Sequence, residues 1–314
     1  MEGLVVRNTG SWYVVRDMLT GQEMNCKVKG NFRLKGIRTT NPVAVGDMVT
    51  CVENGDGNGF ITAIKQRRNY IIRKASNLSK EAHIIAANVD SAMLVVTLFH
   101  PTTSTTFIDR FLATAEAYRV PATIVINKID LLTEEDELEY LDAISYLYRS
   151  IGYDVVHVSA LENRGIDELR DRMKDKITLL SGNSGVGKST IINDLIPGLD
   201  LRTADISDAH DTGMHTTTFS EMFRLPGDSN GWIIDTPGVR GFGTIEMDRH
   251  EVAHFFPEIF AIGHDCRYGN CTHTHEPHCA VRKALEEQRI AQSRYNSYLS
   301  ILEDGTDDKY RKPF

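Results

Sequence analysis

The position of one phosphate-binding loop constrains the fold of this chain more than any other feature. The stretch GNSGVGKS, residues 182–189, matches the pattern G-x-x-x-x-G-K-[S/T] and lies between a predicted strand, KITLLSG, and a predicted helix. Such a loop lets backbone N–H groups close on nucleotide phosphates, helped by the positive N-terminal end of the following helix. It usually follows the first strand of its domain, yet here strands and helices alternate from about residue 88 onwards. The motif order therefore needs an explanation.

The central part of the chain predicts a doubly wound α/β domain, which we place at 73–244. The apolar run SAMLVVTLF (91–99) is typical of a strand buried on both faces of a parallel sheet. Helical patterns over 105–119 and 133–150 alternate with the strands ATIVIN and YDVVHVSA, and GIDELRDRMKD predicts a further helix. This alternation indicates a P-loop domain with a parallel sheet.

Residues 1–72 predict a separate all-β barrel. Five short stretches of alternating apolar and polar residues are separated by turns at Gly10, Gly46 and NGDGNG (54–59). Five strands favour an OB-type barrel, with an SH3-like barrel as the alternative. Residues 1–74 hold twelve Lys and Arg against six Asp and Glu, although the whole chain has a net charge of −8. This basic module predicts either a contact with a phosphate backbone or a solvated basic face.

Residues 245–314 predict a helical module around a loop rich in cysteine and histidine. HEVAHFFPEIF (250–260) and the long stretch 280–304 are each predicted as a helix, and three of the five cysteines lie between them, within 266–279. In a reducing compartment this cluster indicates a metal site rather than disulfides. The sequence shows neither a signal peptide nor an apolar run of the roughly 18 residues that a membrane helix needs, so we expect a cytoplasmic protein without a membrane partner.

A second motif predicts which base is bound. Asn127, Lys128 and Asp130 match the N-K-x-D signature of the GTPase superfamily at the end of a predicted strand. The Asp130 carboxylate can accept from both N–H groups on the guanine edge, whereas adenine would leave it unpaired. GTP and GDP are therefore favoured over adenine nucleotides. Ser159 and Ala160, in VSAL, fit the short loop that supports the guanine contact.

The phosphates and Mg²⁺ are predicted to contact two further segments. In the P-loop, Lys188 reaches the β and γ oxygens and Ser189 is a Mg²⁺ ligand. In WIIDTPG (232–238), Asp235 is expected near Mg²⁺ and the Gly238 N–H is expected to face the γ-phosphate. The predicted phosphate contacts of the P-loop are Gly182, Asn183, Ser184, Gly185, Val186, Gly187, Lys188, Ser189 and Thr190.

These elements occur in a rotated order. The base-binding segments 127–130 and 159–161 precede the P-loop, and the segments expected near Mg²⁺ and the γ-phosphate follow it, at 213–218 and 235–238. A sheet, not chain order, defines such a site, so joining the old termini and opening new ones preserves it. The sequence therefore predicts a circularly permuted GTPase domain, whose last loop leads directly into the C-terminal module.

Together the permuted order, the preceding barrel and the Cys/His module resemble the ribosome small subunit-dependent GTPase A family. The motifs that carry this resemblance are VGDMV in the barrel, AANVD (86–90), NKIDLL, SGNSGVGKST, GMHTTT (213–218), DTPGVRGFG (235–243) and CRYGNCTHTHEPHC (266–279). The resemblance implies a cytoplasmic factor that binds the small ribosomal subunit and its rRNA late in maturation and hydrolyses GTP there. We expect neither a DNA partner nor, without a heptad run, a dimer.

The resemblance also implies the metal ligands. Cys266, Cys271, His273 and Cys279 match the ligand pattern of the family, and three thiolates with one imidazole suit one closed, tetrahedral structural Zn²⁺ site. The spacing alone leaves three rival ligands open, namely His264, His275 and His278.

The source of catalysis is a separate expectation. Val239 stands directly after DTPG, where many GTPases carry a Gln that orients the attacking water. The resemblance implies that this group comes from elsewhere, and His215 is the candidate because an imidazole can orient water or relay a proton near neutral pH. The alternative is that His215 contacts only the partner or solvent. Either Thr216 or Thr217 is expected to complete the Mg²⁺ shell, and we favour Thr217.

Two other functions remain open from the sequence. In one, the chain is an RNA-binding assembly module that uses GTP as a structural switch with little turnover, which the apolar Val239 allows. In the other, it is a GTPase that responds to a small molecule and acts on a protein partner without contacting RNA. The basic N-terminal barrel weighs against the second alternative.

Overall fold

The structure is a computed structural model of the chain, and it describes residues 1–29, 42–55, 57–74, 82–201, 221–227, 229–235 and 247–304. The strands are β1 (Glu2–Asn8), β2 (Tyr13–Asp17), β3 (Glu23–Val28), β4 (Met48–Glu53), β5 (Gly59–Ile64), β6 (Tyr70–Lys74), β7 (Ala82–Ala87), β8 (Ser91–Val96), β9 (Ala122–Ile126), β10 (Asp154–His157), β11 (Ile177–Ser181), β12 (Glu221–Arg224) and β13 (Trp232–Asp235). The α-helices are α1 (Thr105–Tyr118), α2 (Glu135–Ser150), α3 (Ile166–Met173), α4 (Lys188–Leu195), α5 (Pro257–Gly263), α6 (Ala280–Glu286) and α7 (Gln292–Asp304).

The first five strands form the predicted OB-type barrel. Their order is β1-β2-β3-β5-β4, and β4 pairs back onto β1, which closes the barrel. Among these five described strands, β3 and β5 are the pair that runs parallel. The interior is filled by apolar side chains such as Val5, Val15 and Ile61, and it includes both barrel cysteines, whose Sγ atoms lie 3.8 Å apart. The SH3-like alternative is therefore wrong.

The central domain has the expected parallel sheet with helices on both faces. Its described strands lie in the order β10-β9-β8-β11-β13-β12, and of these only β12 is antiparallel to its neighbour β13. In β8, Leu94 packs towards α1 and α2, whereas Met93 and Val95 pack towards α3 and α4. Because successive side chains of a strand point to opposite faces, the apolar residues of β8 pack into the hydrophobic cores on both sides of the sheet.

A short hairpin and a motif contact join the barrel to the central domain. The hairpin consists of β6 and β7, which the sequence analysis did not predict, and the Tyr118 hydroxyl at the end of α1 accepts from the Ile72 N–H over 3.1 Å. The barrel motif VGDMV (45–49) also contacts the motif AANVD (86–90), since Asn88 Nδ2 donates to the Gly46 carbonyl over 2.8 Å. A Cβ at Gly46 would lie 2.1 Å from the Ala87 carbonyl oxygen, so only glycine allows this approach.

The C-terminal module differs from the sequence prediction in two helices. The helix expected over 250–260 is divided into a 3-10 helix, Val252–Phe255, and α5, because Phe256 is extended before Pro257 (ψ 94°). The helix expected over 280–304 is divided into α6 and α7, and Gln288 between them adopts a left-handed conformation (φ 57°). No helix within the described ranges is long and apolar enough to span a membrane.

Candidate nucleotide and zinc sites

Four of the predicted nucleotide elements meet at one edge of the central sheet. The parallel strands β10, β9, β8, β11 and β13 all end there. The N-K-x-D segment follows β9, VSAL follows β10, the P-loop follows β11, and Asp235 is the last residue of β13. Ligands of doubly wound domains bind outside these carboxyl ends, so the fold restores a single site from motifs in rotated order.

The P-loop conformation depends on its glycines. Gly182, Gly185 and Gly187 all have positive φ angles, of 147°, 81° and 92°. A Cβ at Gly182 would lie 2.3 Å from the Val95 carbonyl oxygen, so a side chain there would force the loop off the sheet. The helix α4 begins directly after Gly187, at Lys188, as the motif requires.

Lys188 lies inside the curve of this loop. Its Nζ donates to the carbonyl oxygens of Gly182 and Asn183, over 2.6 and 2.7 Å. Burial lowers the pKa of Lys188, and the Asp235 carboxylate partly opposes that shift. Burial likewise raises the pKa of Asp235, against the effect of Lys188. A partly buried ammonium with backbone carbonyls as its hydrogen-bond partners fits a site for a polyanion, which would replace its lost solvation.

The other P-loop residues divide by exposure. Asn183, Ser184 and Gly185 are exposed at the mouth of the loop, and Val186 is buried beneath it. Ser189 and Thr190 are half-buried in the first turn of α4. An exposed loop above a buried apolar residue leaves the backbone of the loop accessible to a phosphate.

Asn127 connects three of the motifs. This side chain is 3% exposed. Its Nδ2 donates to the Val186 carbonyl of the P-loop over 2.9 Å, and its Oδ1 accepts from the Ala160 N–H over 3.1 Å. A single amide therefore ties the predicted phosphate and base elements together, and no spacing in the sequence reveals this contact.

Lys128 and Asp130 follow Asn127 in the same segment, and each forms a hydrogen bond of its own. The Ser159 hydroxyl donates to Asp130 Oδ1 over 2.5 Å, which orients the carboxylate. Lys128 adopts a left-handed conformation (φ 62°), and its Nζ donates to the His100 carbonyl over 2.8 Å. The sequence analysis missed the loop that carries His100, since only packing brings this loop against the P-loop.

Three predicted site residues cannot be placed in this geometry. His215, Thr217 and Gly238 lie outside the described residues. Val239 and Thr216, which the hydrolysis argument also uses, lie outside them as well.

Four side chains of the C-terminal module form a metal-ligand cluster. The ligand atoms of Cys266, Cys271, His273 and Cys279 all lie within 4.8 Å of one another. The Cys266 and Cys279 Sγ atoms are 3.9 Å apart, and each lies 3.5 Å from His273 Nδ1. A Zn–S bond of about 2.3 Å in tetrahedral geometry places neighbouring sulfurs about 3.8 Å apart, so the cluster fits one Zn²⁺.

The structure distinguishes the histidines that spacing left open. Of the four histidines considered, only His273 lies in the cluster. His275 Nδ1 instead contacts the Thr274 hydroxyl, and the His264 ring packs on Phe260. His278 is exposed. The left-handed backbone of His273 (φ 58°) turns its side chain into the loop.

Two tyrosines of α7 and one glutamate within the loop hold the backbone of this loop. Tyr295 and Tyr298 of α7 donate to the carbonyls of His273 and Thr272, over 2.7 and 2.8 Å. Glu276 accepts from the N–H groups of Thr272 and Thr274. Burial alone would raise the pKa of Glu276, but the hydrogen bonds outweigh it and lower the pKa to about 2. The sequence analysis assigned these residues no role.

Comparison with known proteins decides the family. The model of the RsgA GTPase family matches residues 64–245, and that of the RsgA N-terminal domain matches residues 2–61. The chain belongs to the RsgA GTPase family. The family resemblance predicted from the motifs is therefore confirmed, and with it GTPase activity and guanine nucleotide binding.

Relatives of the RsgA family match this chain along its whole length. The "Small ribosomal subunit biogenesis GTPase RsgA" of Bacteroides fragilis is 60% identical over all of both chains, and that of Porphyromonas gingivalis is 59% identical with the same coverage. The crystal structure of YjeQ from Thermotoga maritima is 34% identical, covers 98% of each chain and has a TM-score of 0.78. The structure of YloQ, described as a circularly permuted GTPase, is 29% identical, covers 100% of this chain and 96% of its own, and has a TM-score of 0.74. The predicted permuted fold is confirmed.

Proposed function

We propose that this chain is a cytoplasmic GTPase that binds the small ribosomal subunit, acts late in its maturation and hydrolyses GTP when the subunit stimulates it. The observation that carries the proposal is the full-length identity of 60% to a protein named for small ribosomal subunit biogenesis. The meeting of the P-loop, the N-K-x-D segment, VSAL and Asp235 at one sheet edge supports it, since all four serve one nucleotide.

In this proposal, guanine is held by the N-K-x-D segment and VSAL. The Asp130 carboxylate accepts from the guanine N–H groups, while Ser159 keeps it oriented. Asn127 keeps the P-loop and the Ala160 backbone at a fixed separation. Lys128 fixes the loop of His100 against the P-loop. The roles rest on these contacts and on the family motif.

The phosphates are assigned to the loop 182–190 and to Lys188. On nucleotide binding, Lys188 exchanges the carbonyls of Gly182 and Asn183 for β and γ oxygens. Ser189, Thr217 and Asp235 are the residues that we assign to Mg²⁺, which when bound neutralises charge on the phosphates. We assign the Gly238 N–H to the γ-phosphate.

Hydrolysis requires a group that orients the attacking water, and we assign it to His215. The reason is the apolar Val239 at the position of the usual Gln. Cys266, Cys271, His273 and Cys279 would hold one Zn²⁺, whose role is structural because the four ligand atoms close the site.

Contact with the rRNA of the subunit is assigned first to the barrel. The excess of twelve Lys and Arg over six Asp and Glu in residues 1–74 favours a phosphate backbone as partner, although the whole chain is acidic. We propose that the protein acts as a monomer, without a DNA or membrane partner.

The test is GTP turnover by the full chain, measured alone and with purified small subunits, large subunits or naked rRNA. The proposal expects stimulation by small subunits only. Tight GTP binding without stimulation by any of them would overturn it and favour the alternative, an RNA-binding module that uses GTP as a structural switch. A salt titration of subunit binding adds a second check, since phosphate contacts give a steep dependence on salt.

A further inference from the structure

A cavity of about 360 Å³ lies beside the Cys/His cluster of the C-terminal module. The zinc loop contributes Cys271 and His273 to its lining, and the opposite side comes from the 3-10 helix Val252–Phe255 and from α5 with the turn after it. Pockets for small organic groups have volumes of about 300 Å³ or more, so the cavity is large enough to hold a flat ring. The metal loop therefore lines a cavity that is separate from the nucleotide site.

Aromatic rings line one side of this cavity. The Phe260 ring packs edge-on against His254 and His264, with centroid distances of 5.0 and 4.8 Å. Phe260 and Tyr268 nevertheless remain 41% and 42% exposed. Apolar ring surface left in water is unfavourable, so binding of a planar partner that covers these rings would be favourable.

Arg249 gives the lining a positive group that favours an anionic partner. Among the described residues that line the cavity there is no Asp or Glu, although the chain holds 43 of them. The lining includes Arg249 and His250, and next to it the Arg267 guanidinium lies 5.7 Å from the centre of the Tyr268 ring. Within the described ranges, no carboxylate forms an ion pair with Arg249 or Arg267. Guanidinium groups that no carboxylate neutralises attract a phosphate group.

The lining also offers a group that can pair with a base edge. Asn270 belongs to it, and its amide holds both donors and an acceptor. Stacking rings, a guanidinium and an amide are the chemistry by which proteins bind unpaired RNA bases. A double-stranded helix would not suit this cavity, because its bases are already stacked and paired.

We propose that this cavity binds one unpaired nucleotide of RNA, whose base stacks on Phe260 and whose phosphate lies near Arg249. The identification of that RNA as rRNA of the small subunit rests on the proposed function, whereas the chemistry of the site does not. The C-terminal module then contacts RNA at a specific point, in addition to the broad basic surface of the barrel.

The test uses the full-length, zinc-loaded protein and a short oligouridine that contains a single 4-thiouridine. After irradiation, the crosslinked peptide is mapped. The proposal expects an adduct within residues 249–272, and Phe260→Ala should lower the yield there on the order of tenfold, the scale of one lost stacking contact. Phe260→Trp should keep the yield. The matched control is Tyr146→Ala, whose ring on α2 is 76% exposed but lies outside the cavity lining.

Zinc content, cosedimentation and GTP turnover distinguish loss of RNA binding from other effects of the substitution. Zinc content per chain, measured for each variant, shows that the module is folded. Adducts confined to the barrel, or a yield in 249–272 that Phe260→Ala leaves unchanged, overturn the proposal. Cosedimentation with small subunits that falls in Phe260→Ala while the oligouridine adduct persists would mean that the cavity binds a ribosomal protein, which also overturns it. Subunit-stimulated GTP turnover, measured on the unsubstituted protein, tests the proposed function independently of this site.

Discussion

Arg294 donates from Nη1 to Asp109 Oδ1 over 2.8 Å, and the two side chains are only 1% and 0% exposed. Arg294 belongs to α7 and Asp109 to α1, so this ion pair joins the C-terminal module to the GTPase domain. Arg294 also pairs with Glu258 of α5, and Asp109 accepts from the Tyr148 hydroxyl of α2. Four helices therefore meet around one buried guanidinium.

Removing the Asp109 carboxylate should loosen this junction. Asp109→Ala leaves the Arg294 charge buried with one carboxylate partner, and breaking a buried pair costs about 3 kcal/mol or more. We expect amide exchange in α7 to become about 100-fold faster, measured by hydrogen exchange and mass spectrometry. The control is Asp154→Ala, which removes an exposed pair with Arg172 and should cost about 1 kcal/mol or less. Unchanged exchange in α7 would contradict the assignment.

A methyl group at Gly187 should weaken nucleotide binding. The added Cβ would lie 2.3 Å from Asn127 Nδ2, and φ of 92° is strained for any residue with a side chain. We expect the affinity of Gly187→Ala for a fluorescent guanine nucleotide to fall at least about tenfold. Gly198→Ala is the matched control, since its φ is 88° but its added Cβ meets no atom within 4 Å. Equal affinities of the two variants would refute the role of this contact.

Asp130 should determine the choice of base. In Asp130→Asn one acceptor oxygen becomes an amide donor, which no longer suits the two adjacent N–H groups of guanine but suits xanthine, with an oxygen in place of the amino group. We expect GTP affinity to fall about tenfold to hundredfold and XTP affinity to rise. Titration calorimetry with both nucleotides checks this. If GTP affinity stays unchanged, another residue selects the base.

Zinc content should depend on His273 and not on its neighbours. His273→Ala removes one of four ligands and should lower zinc affinity by about 100-fold or more. His275→Ala should retain one zinc per chain, because His275 lies outside the cluster. Atomic absorption after dialysis against a weak chelator measures both. If His275→Ala loses zinc while His273→Ala retains it, then His275 and not His273 is the zinc ligand.

His215 should affect turnover and not binding. If it orients water, His215→Ala lowers subunit-stimulated turnover by about 10²–10⁴-fold and leaves GTP affinity unchanged. Stopped-flow nucleotide binding and multiple-turnover hydrolysis separate the two quantities. The neighbouring Met214→Ala is the control and should keep turnover within about threefold. Full turnover in His215→Ala would assign the water-orienting group to the subunit or to another residue.

Several elements of the fold were predictable because their signals are local. The apolar run of β8, the helical periodicity of α1 and the turn glycines of the barrel each determine their element within a few residues. The division of the helix expected over 250–260 has a local signal too, since Pro257 disfavours a helical conformation at Phe256. The β6–β7 hairpin has none of comparable strength, and a contact with Tyr118, far along the chain, helps to hold it.

The sequence by itself determined the chemistry of this protein: a P-loop, a guanine-binding signature, three cysteines with a histidine and the permuted order of the motifs. These depend on residue type and short spacing, which a sequence states directly. Only the tertiary structure decided that Asn127 bridges the P-loop and Ala160, that Tyr295 holds the backbone of the Cys/His loop, and that Arg294 joins α7 to α1. Such contacts join residues far apart in the chain, and they arise when burial forces each polar group to find a partner.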